Sequence, residues 1–467
     1  QNKINICAII INLFRIPKIR TDQSFGFGWR KAKRPSSSSS SSSYSMSESG
    51  ASKFFSVVSD DILLEVFLLL PHRRYLIQCS TVCKRWFSLI SHAEFNRRFI
   101  EYHERKRSSD RSYSLPYTLL LRASPNTHRP PICDILSKKS KSIHGQQSPS
   151  VGVYSHILPQ NGIIRASVED LVLLSRYPNK YCIYNPLTRQ GLWLPVAPRG
   201  YCFKCGFVCE PNSSGYTSTN ITDQYRFRVL HIAGFSNNWN NWNDYVFDGE
   251  LFCSETGKWS KLVFSFPQRL APNLKFVADF IASRGILYSL VEGVDDNQIC
   301  VKGIVALDLS MDDTSEEDRN RCRFIHLPAD FGRGWRARRG KVCFGMVRGQ
   351  LRLSQLVKIV EEAVLKVWEL DCNNNNDADW VLVHHARLKC TEETNTSVAA
   401  FHPYNGDVVF MLRDEEIYKF EIGEEKYKKV GEFRGLGLYC TKEKLPGSLR
   451  AFTLVYPSWP TPISKIP

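Results

Sequence analysis

One pattern returns five times along this chain: a short apolar strand, a turn, then an aromatic residue followed by a short closing strand. It reads YCIYNPLTRQGLWLP at 181–195 and LFCSETGKWSKL at 251–262, and it spans 306–328, where an acidic insert precedes CRFIHLP. It returns at 367–388, where WEL, an Asn-rich turn and WVLVHHARL follow one another, and at 417–433 as IYKFEIGEEKYKKVGEF. Between copies stands a second phrase, Gly then an apolar strand, at Gly285–Leu290, Gly349–Leu353 and Gly406–Phe410. Copies at roughly 50–70-residue spacing suit the four-stranded blades of a propeller with variable loops. A pair of β-sandwiches is the alternative, since so degenerate a repeat does not exclude it.

With 467 residues, 43% of them hydrophobic, the chain has material for several packed domains, which excludes general disorder. No stretch approaches the ~18 uncharged apolar residues of a membrane-spanning helix; the greasiest runs are Ile4–Phe14 and Ile62–Leu70. The net charge is +16, but residues 1–45 hold eight basic side chains against one acid, Asp22. The other 422 residues are therefore only mildly basic, which weakens a nucleic-acid reading built on total charge. Fifteen cysteines run from Cys7 to Cys440 without a repeating framework, as expected for a reduced chain of the cytoplasm or nucleus.

Residue 1 is Gln and the first Met is Met46, preceded by a basic, Ser-rich segment. The expectation is that translation starts at Met46; a transit peptide and a disordered basic tail are the alternatives. Residues 1–53 are read as low-complexity and unstructured.

Helical periodicity begins at Ser59, an expected N-cap, with Asp60 and Asp61 placed to complement the helix dipole. Ile62–Leu70 follows, stopped by Pro71, and Glu65 is the one charge in those nine residues. A helix apolar nearly all round needs burial on more than one side. Further helices are expected at Arg73–Cys79, Thr81–Ile90 and from Ala93 to about Lys106, with Phe95 and Phe99 inward. So small a cluster cannot hide that much apolar surface alone. It packs on its own chain or docks a partner's helices.

The stretch Val58–Phe67, then Leu70-Pro71, then Val82-Cys83-Lys84-Arg85-Trp86 with Leu89-Ile90, resembles the F-box. Val58-Ser59 stands where that family usually carries Leu-Pro. The resemblance implies docking on the Skp-type adaptor of a cullin–RING ubiquitin ligase. Its adaptor-facing positions here would be Leu63, Phe67, Leu70, Pro71, Leu76, Val82 and Trp86, each of which is also a candidate internal core residue. The β-rich remainder resembles the kelch-like, F-box-associated propeller domain of plant F-box proteins. Residues 184–189, 254–259, 367–370 and 401–407 carry that likeness. The implied fold is multidomain, α plus all-β. A helical F-box occupies 54–103, a polar hinge or spacer 104–113, and a propeller-like domain 114–440. Residues 441–467 form a tail or a closing strand.

Several motifs invite chemistry. Cys202-x-x-Cys205-x-x-x-Cys209 has no fourth metal ligand close by, and its interleaved aromatics suit a strand, so no metal is expected. His384-His385 falls on an expected strand, one histidine facing in and one out. Target-binding candidates are Trp239 and Trp242 in an Asn-rich loop, and Arg333, Trp335, Arg336, Arg338 and Arg339 in the basic loop at 332–341. Arginine forks phosphate and tryptophan stacks or anchors, so these types suit an acidic or phosphorylated target. No phosphate-cradling Gly loop, nucleophile elbow or metalloprotease motif is present. The expectation is a non-catalytic ligase subunit with no cofactor. Its partners would be the adaptor, cullin through it, and a target protein, with no membrane and no nucleic acid. A non-degradative scaffold and a basic propeller binding nucleic acid or acidic partners are the alternatives. The sequence does not name the target, a ligand of the propeller channel or the blade number.

Overall fold

The computed structural model describes residues 58–70, 72–109, 114–123, 132–137, 162–176, 179–198, 204–211, 225–235, 246–265, 274–295, 298–309, 322–332, 341–359, 362–371, 379–389, 396–432 and 449–463. The expectations for residues 1–53 fall outside them. The chain divides into two compact units, with the boundary between Arg111 and Ser112.

The first unit holds four helices, α1 (Asp60–Leu68), α2 (Arg73–Ser80), α3 (Lys84–Ser91) and α4 (Ala93–Ser109). Ser59 is extended ahead of α1, but its side chain makes no capping bond; its carbonyl accepts from Leu63 N at 3.2 Å. Helix α3 starts at Lys84 rather than Thr81, because the Cys83 sulfur caps it by accepting from Trp86 N at 3.5 Å. Helix α4 runs on through the first six residues of the expected spacer. Ion pairs at i,i+3 and i,i+4, Glu94–Arg97 and Glu101–Arg105, support this helix, which ends at Ser109, three residues past the expected end near Lys106.

The second unit is all β. In chain order its strands are β1 (Tyr117–Ala123), β2 (Ile132–Leu136), β3 (Ile163–Val168), β4 (Leu171–Arg176), β5 (Lys180–Asn185), β6 (Gln190–Trp193), β7 (Lys204–Pro211) and β8 (Tyr225–Phe235). They continue as β9 (Val246–Cys253), β10 (Lys258–Ser265), β11 (Lys275–Phe276), β12 (Ile281–Ser283), β13 (Ile286–Asp295), β14 (Gln298–Asp308), β15 (Cys322–His326) and β16 (Val342–Val347). The last are β17 (Gln350–Ile359), β18 (Glu362–Asp371), β19 (Asp379–Lys389), β20 (Thr396–Phe401), β21 (Val408–Arg413), β22 (Glu416–Glu421), β23 (Lys426–Glu432) and β24 (Leu449–Val455). They pair antiparallel into six sheets: β3–β6, β7–β10, β11–β15, β16–β19, β20–β23, and a sixth ordered β2-β1-β24.

This is a six-bladed propeller, and its cores show why. The buried apolar residues of the strands fall into six clusters, each shared by two neighbouring sheets. Leu171 and Leu173 face the β7–β10 sheet, while Val172 and Leu174 face the sheet of β24. Phe410 and Leu412 likewise oppose Val409 and Met411. Such strands are buried on both faces and read as continuous apolar runs rather than alternating ones. The six clusters close into a ring, which two separate sandwiches would not produce.

The two sequence phrases are now legible as parts of a blade. The first is the third strand, its turn and the fourth strand, as in β5–β6 and β9–β10. Arg189, Gly257 and Glu425 close equivalent four-residue turns with φ of 58°, 67° and 51°. The second phrase is the second strand, β13, β17 or β21. Before β13 and β17 come the two-residue turns Arg284-Gly285 and Arg348-Gly349, both positions at positive φ, where glycine is at ease.

The sixth sheet joins both ends of the domain. β24 pairs with β1 from Tyr117↔Val455 to Ala123↔Leu449, so residues 449–455 are the strand that closes this sheet. Beyond it, Asp170 fastens the chain: Thr461 donates to it from N at 2.9 Å and from Oγ1 at 2.5 Å, and Asn185 Nδ2 donates at 2.8 Å.

Burial raises the Asp170 carboxyl from 3.8 to about 6, against the downward pull of those hydrogen bonds. His402 moves the other way, from 6.5 to about 4, through burial first and the Lys419 charge second. Its Nδ1 accepts from Tyr404 N at 3.1 Å and Asn405 N at 3.0 Å, so the folded form wants it neutral. Support from Asp170 is present below pH 3.8 and is lost as pH rises through about 6. Support from His402 is present above pH 6.5 and is lost as pH falls through about 4. Each amounts to ~3 kcal/mol, so they oppose one another across the same window. Asp170→Asn leaves the histidine unopposed, and urea melts should show the variant losing stability more steeply than the parent on acidification from 6.5 to 4. Parallel profiles would exclude this assignment.

Candidate functional site

Within the helical unit Phe67 sits at the centre, edge-on to Trp86 at 5.1 Å and to Phe95 at 6.3 Å between ring centroids. Phe95 continues to Phe99 at 6.2 Å, and Phe99 to His103 at 4.4 Å. Leu63, Val66, Leu68, Leu70, Leu76, Cys79 and Ile90 complete the core. Arg85 of α3 donates to Asp60 at 2.7 Å and to the Val58 carbonyl at 2.6 Å, while Arg98 of α4 reaches Glu65 at 2.8 Å. These ion pairs are exposed and worth at most about 1 kcal/mol each, but they set how α1 lies on its neighbours.

The core accounts for Leu63, Phe67, Leu70, Leu76 and Trp86, five of the seven residues expected to face an adaptor; all are at most 3% exposed. These five take the internal role that the sequence reading left open for them, since a unit this small must spend large apolar side chains on filling its own core. Val82 does face solvent, and Pro71 lies outside the described residues. The outward apolar side chains are instead Ile62 at 55%, Ile77 at 53% and Phe87 at 59% exposed, with Leu69, Tyr75 and Val82. Ile62, Tyr75, Ile77 and Phe87 lie on α1, α2 or α3, Leu69 caps the C-terminus of α1, and Val82 sits in the turn between α2 and α3. Sequence reasoning passed over five of them, because a helix apolar all round does not reveal its outer face.

In the propeller, Trp239, Trp242, Arg333, Trp335, Arg336, Arg338 and Arg339 lie outside the described residues. Cys205 is buried and donates to Tyr181 Oη at 3.3 Å, which meets His231 Nδ1 at 3.1 Å. Among the described residues no group of three or more His, Cys, Asp or Glu is placed to hold a metal ion. His384 is half-buried and His385 exposed; His384 Nε2 meets the Gly406 carbonyl at 3.0 Å.

The residues that carried the propeller likeness tie turns and blades together. Asn185 Oδ1 accepts from Leu187 N at 2.9 Å and Thr188 N at 3.3 Å, while its amide holds Asp170. Trp259 Nε1 donates to Pro195 O and Trp368 Nε1 to Asp330 Oδ1, each at 2.9 Å and each between adjacent blades. Arg352 reaches the Gly406 carbonyl at 2.8 Å, an approach glycine permits, since a Cβ there would stand 2.6 Å from the guanidinium.

Residues 139–434 match the family described as F-box protein At3g26010-like, beta-propeller. The chain belongs to this family. Residues 60–100 match the F-box-like family, so this F-box propeller chain carries its helical domain where the four helices stand. It is 24% identical over 390 residues to the putative F-box/kelch-repeat protein At4g22430 of Arabidopsis thaliana, covering 80% of each chain. Among solved structures it is similar to apo AztD from Citrobacter koseri, at 10% identity and a TM-score of 0.32, covering 73% of this chain and 98% of that one. The Cps50 (Swd1) β-propeller domain of Myceliophteria thermophila aligns at 11% identity and a TM-score of 0.25, covering 58% of this F-box propeller chain and 88% of that domain.

Proposed function

We propose that this F-box propeller protein is the substrate-recognition subunit of a Skp–cullin–F-box ubiquitin ligase. The observation that carries the reading is the outward apolar set of the helical domain, Ile62, Leu69, Tyr75, Ile77, Val82 and Phe87, above a filled core. Side chains of that size left in water are what a partner's helices would cover. The mechanism is proximity. The helical domain holds the adaptor, the propeller holds a target protein, and the target's effective concentration rises beside the charged ubiquitin-conjugating enzyme. Bond making belongs to other subunits, and this chain contributes no catalytic group. The location that goes with this reading is the cytoplasm or nucleus, where thiols of the described residues such as Cys79, Cys300 and Cys322 stay reduced.

The test is direct binding of the full chain to a purified Skp-type adaptor, followed by recovery of cullin with the pair. Saturable 1:1 binding at micromolar concentration or tighter is expected. A folded chain that recovers neither adaptor nor cullin removes the ligase reading and leaves a propeller scaffold.

A further inference from the structure

We propose that Arg413 and Thr396, a cross-strand pair in the β20–β23 sheet, bind an oxyanion, the group that phosphates and carboxylates share. Thr396 of β20 lies directly opposite Arg413 of β21. Side chains alternate along a strand, so both leave the sheet on the same side as Val398 and Met411. Those two pack in the core shared with the β16–β19 sheet, which places the pair at the junction of the two blades. Thr396 is 6% exposed, and its buried hydroxyl has no hydrogen-bond partner; nor has the buried Nε of Arg413.

The guanidinium is held in place by rings rather than by acceptors. Its Cζ stands 4.0 Å from the ring centre of Tyr427 and 5.9 Å from that of Tyr418, and Tyr427 is itself stacked on Phe420 at 4.3 Å. Stacking occupies the flat face of a guanidinium and leaves its N–H donors, which lie in the plane, for an acceptor at the rim. The acid opposite Arg413 in the ladder is Glu416 of β22. Its carboxylate accepts instead from Lys429 Nζ and from the Tyr418 hydroxyl, and these bonds hold it below the usual carboxylate range. Among the described residues Arg413 forms neither hydrogen bond nor ion pair. Arg352 in the neighbouring sheet shows the ordinary outcome, meeting Glu369 at 2.7 Å and the Gly406 carbonyl at 2.8 Å. Buried donors without acceptors cost free energy, and here two of them stand on one face of one strand pair. A single negatively charged acceptor satisfies both, since a guanidinium forks an oxyanion and a hydroxyl donates to it. A neutral acceptor would leave the charge of Arg413 unpaired. The site uses propeller residues alone, so it stands or falls apart from adaptor binding.

The experiment titrates the full chain by calorimetry with inorganic phosphate and with a phosphoserine peptide at constant ionic strength, chloride being the control. Phosphate should give a saturable heat that chloride does not. Thr396→Val keeps the branched shape and deletes the hydroxyl, so it should bind phosphate about tenfold weaker. It should melt no lower than the parent, because the hydroxyl it removes has no partner to lose. A hydroxyl with a merely structural role would do the reverse. Arg413→Gln should abolish the heat, and Arg413→Lys, which keeps the charge but not the fork, should bind about tenfold weaker. Equal heats with chloride and phosphate would overturn the proposal. So would a folded Arg413→Gln protein that binds as the parent does. Unaltered affinity in Thr396→Val would overturn it too, leaving a water between the two groups. Should Arg413→Gln fail to fold, the Thr396→Val and Arg413→Lys titrations decide alone. Tighter binding of the peptide than of free phosphate bears the site out as part of target recognition, and the reverse order bears it out as a site for a small free anion.

Discussion

Changing Ile77 and Phe87 together to Asp is expected to weaken adaptor capture at least about 100-fold while leaving stability within about 1 kcal/mol of the parent. Both side chains point into water, at 53% and 59% exposure, so a charge there costs the fold little. On a docked face the same two carboxylates would be buried against apolar partners without compensation. The internal positions behave differently. Trp86→Ala removes the ring that packs on Phe67 and should cost about 3–5 kcal/mol. Leu70→Asp buries a charge in the same core. Either would lose the adaptor by unfolding the helices, so neither tests docking. Adaptor binding by interferometry, beside urea melts of the same samples, separates the two cases. A double variant that still binds like the parent places the interface elsewhere.

Removing residues 449–467 is expected to abolish cooperative unfolding of the propeller. The deletion takes away all of β24, including Leu454, and Tyr456 beyond it, which fill the core against Ile164, Val172 and Leu174. It exposes one edge of β1 over seven paired positions. It also strips Asp170 of both Thr461 donors, leaving a buried carboxylate with fewer partners. Together these exceed the ~5–15 kcal/mol by which a domain is usually stable. Hydrogen exchange should show β1, β3 and β4 opening first. A truncated protein that melts in one transition at the parent's temperature would mean that five sheets suffice.

How much of this was visible beforehand depended on the range of the interactions involved. The turn–aromatic phrase is local, and each copy of it marks one of five blades. The sixth blade has no such phrase, because its strands lie at opposite ends of the domain and meet only in three dimensions; Tyr456 reaches Thr118 across 338 residues. All three four-residue turns were read as turns, but the residue at positive φ was advertised only at Gly257, since at Arg189 and Glu425 a charged residue takes it. In the helical domain the greasy run announced burial without direction. Leu63 and Ile62 are neighbours in the chain, and nothing in their chemistry says that one is 2% and the other 55% exposed.

The late position of β24 sets an order of events during synthesis. Ribosomes add about 5–20 residues per second, and domains fold as they emerge, so the four helices are complete while most blades are still unmade. The ring cannot seal until Leu449–Val455 clears the exit tunnel, roughly 20–70 s after β1 has been made. For that interval the chain presents a finished helical domain joined to a growing, unsealed row of blades. On the proposed function, an adaptor present in the cell at that moment would meet its docking surface before any target could meet a closed propeller.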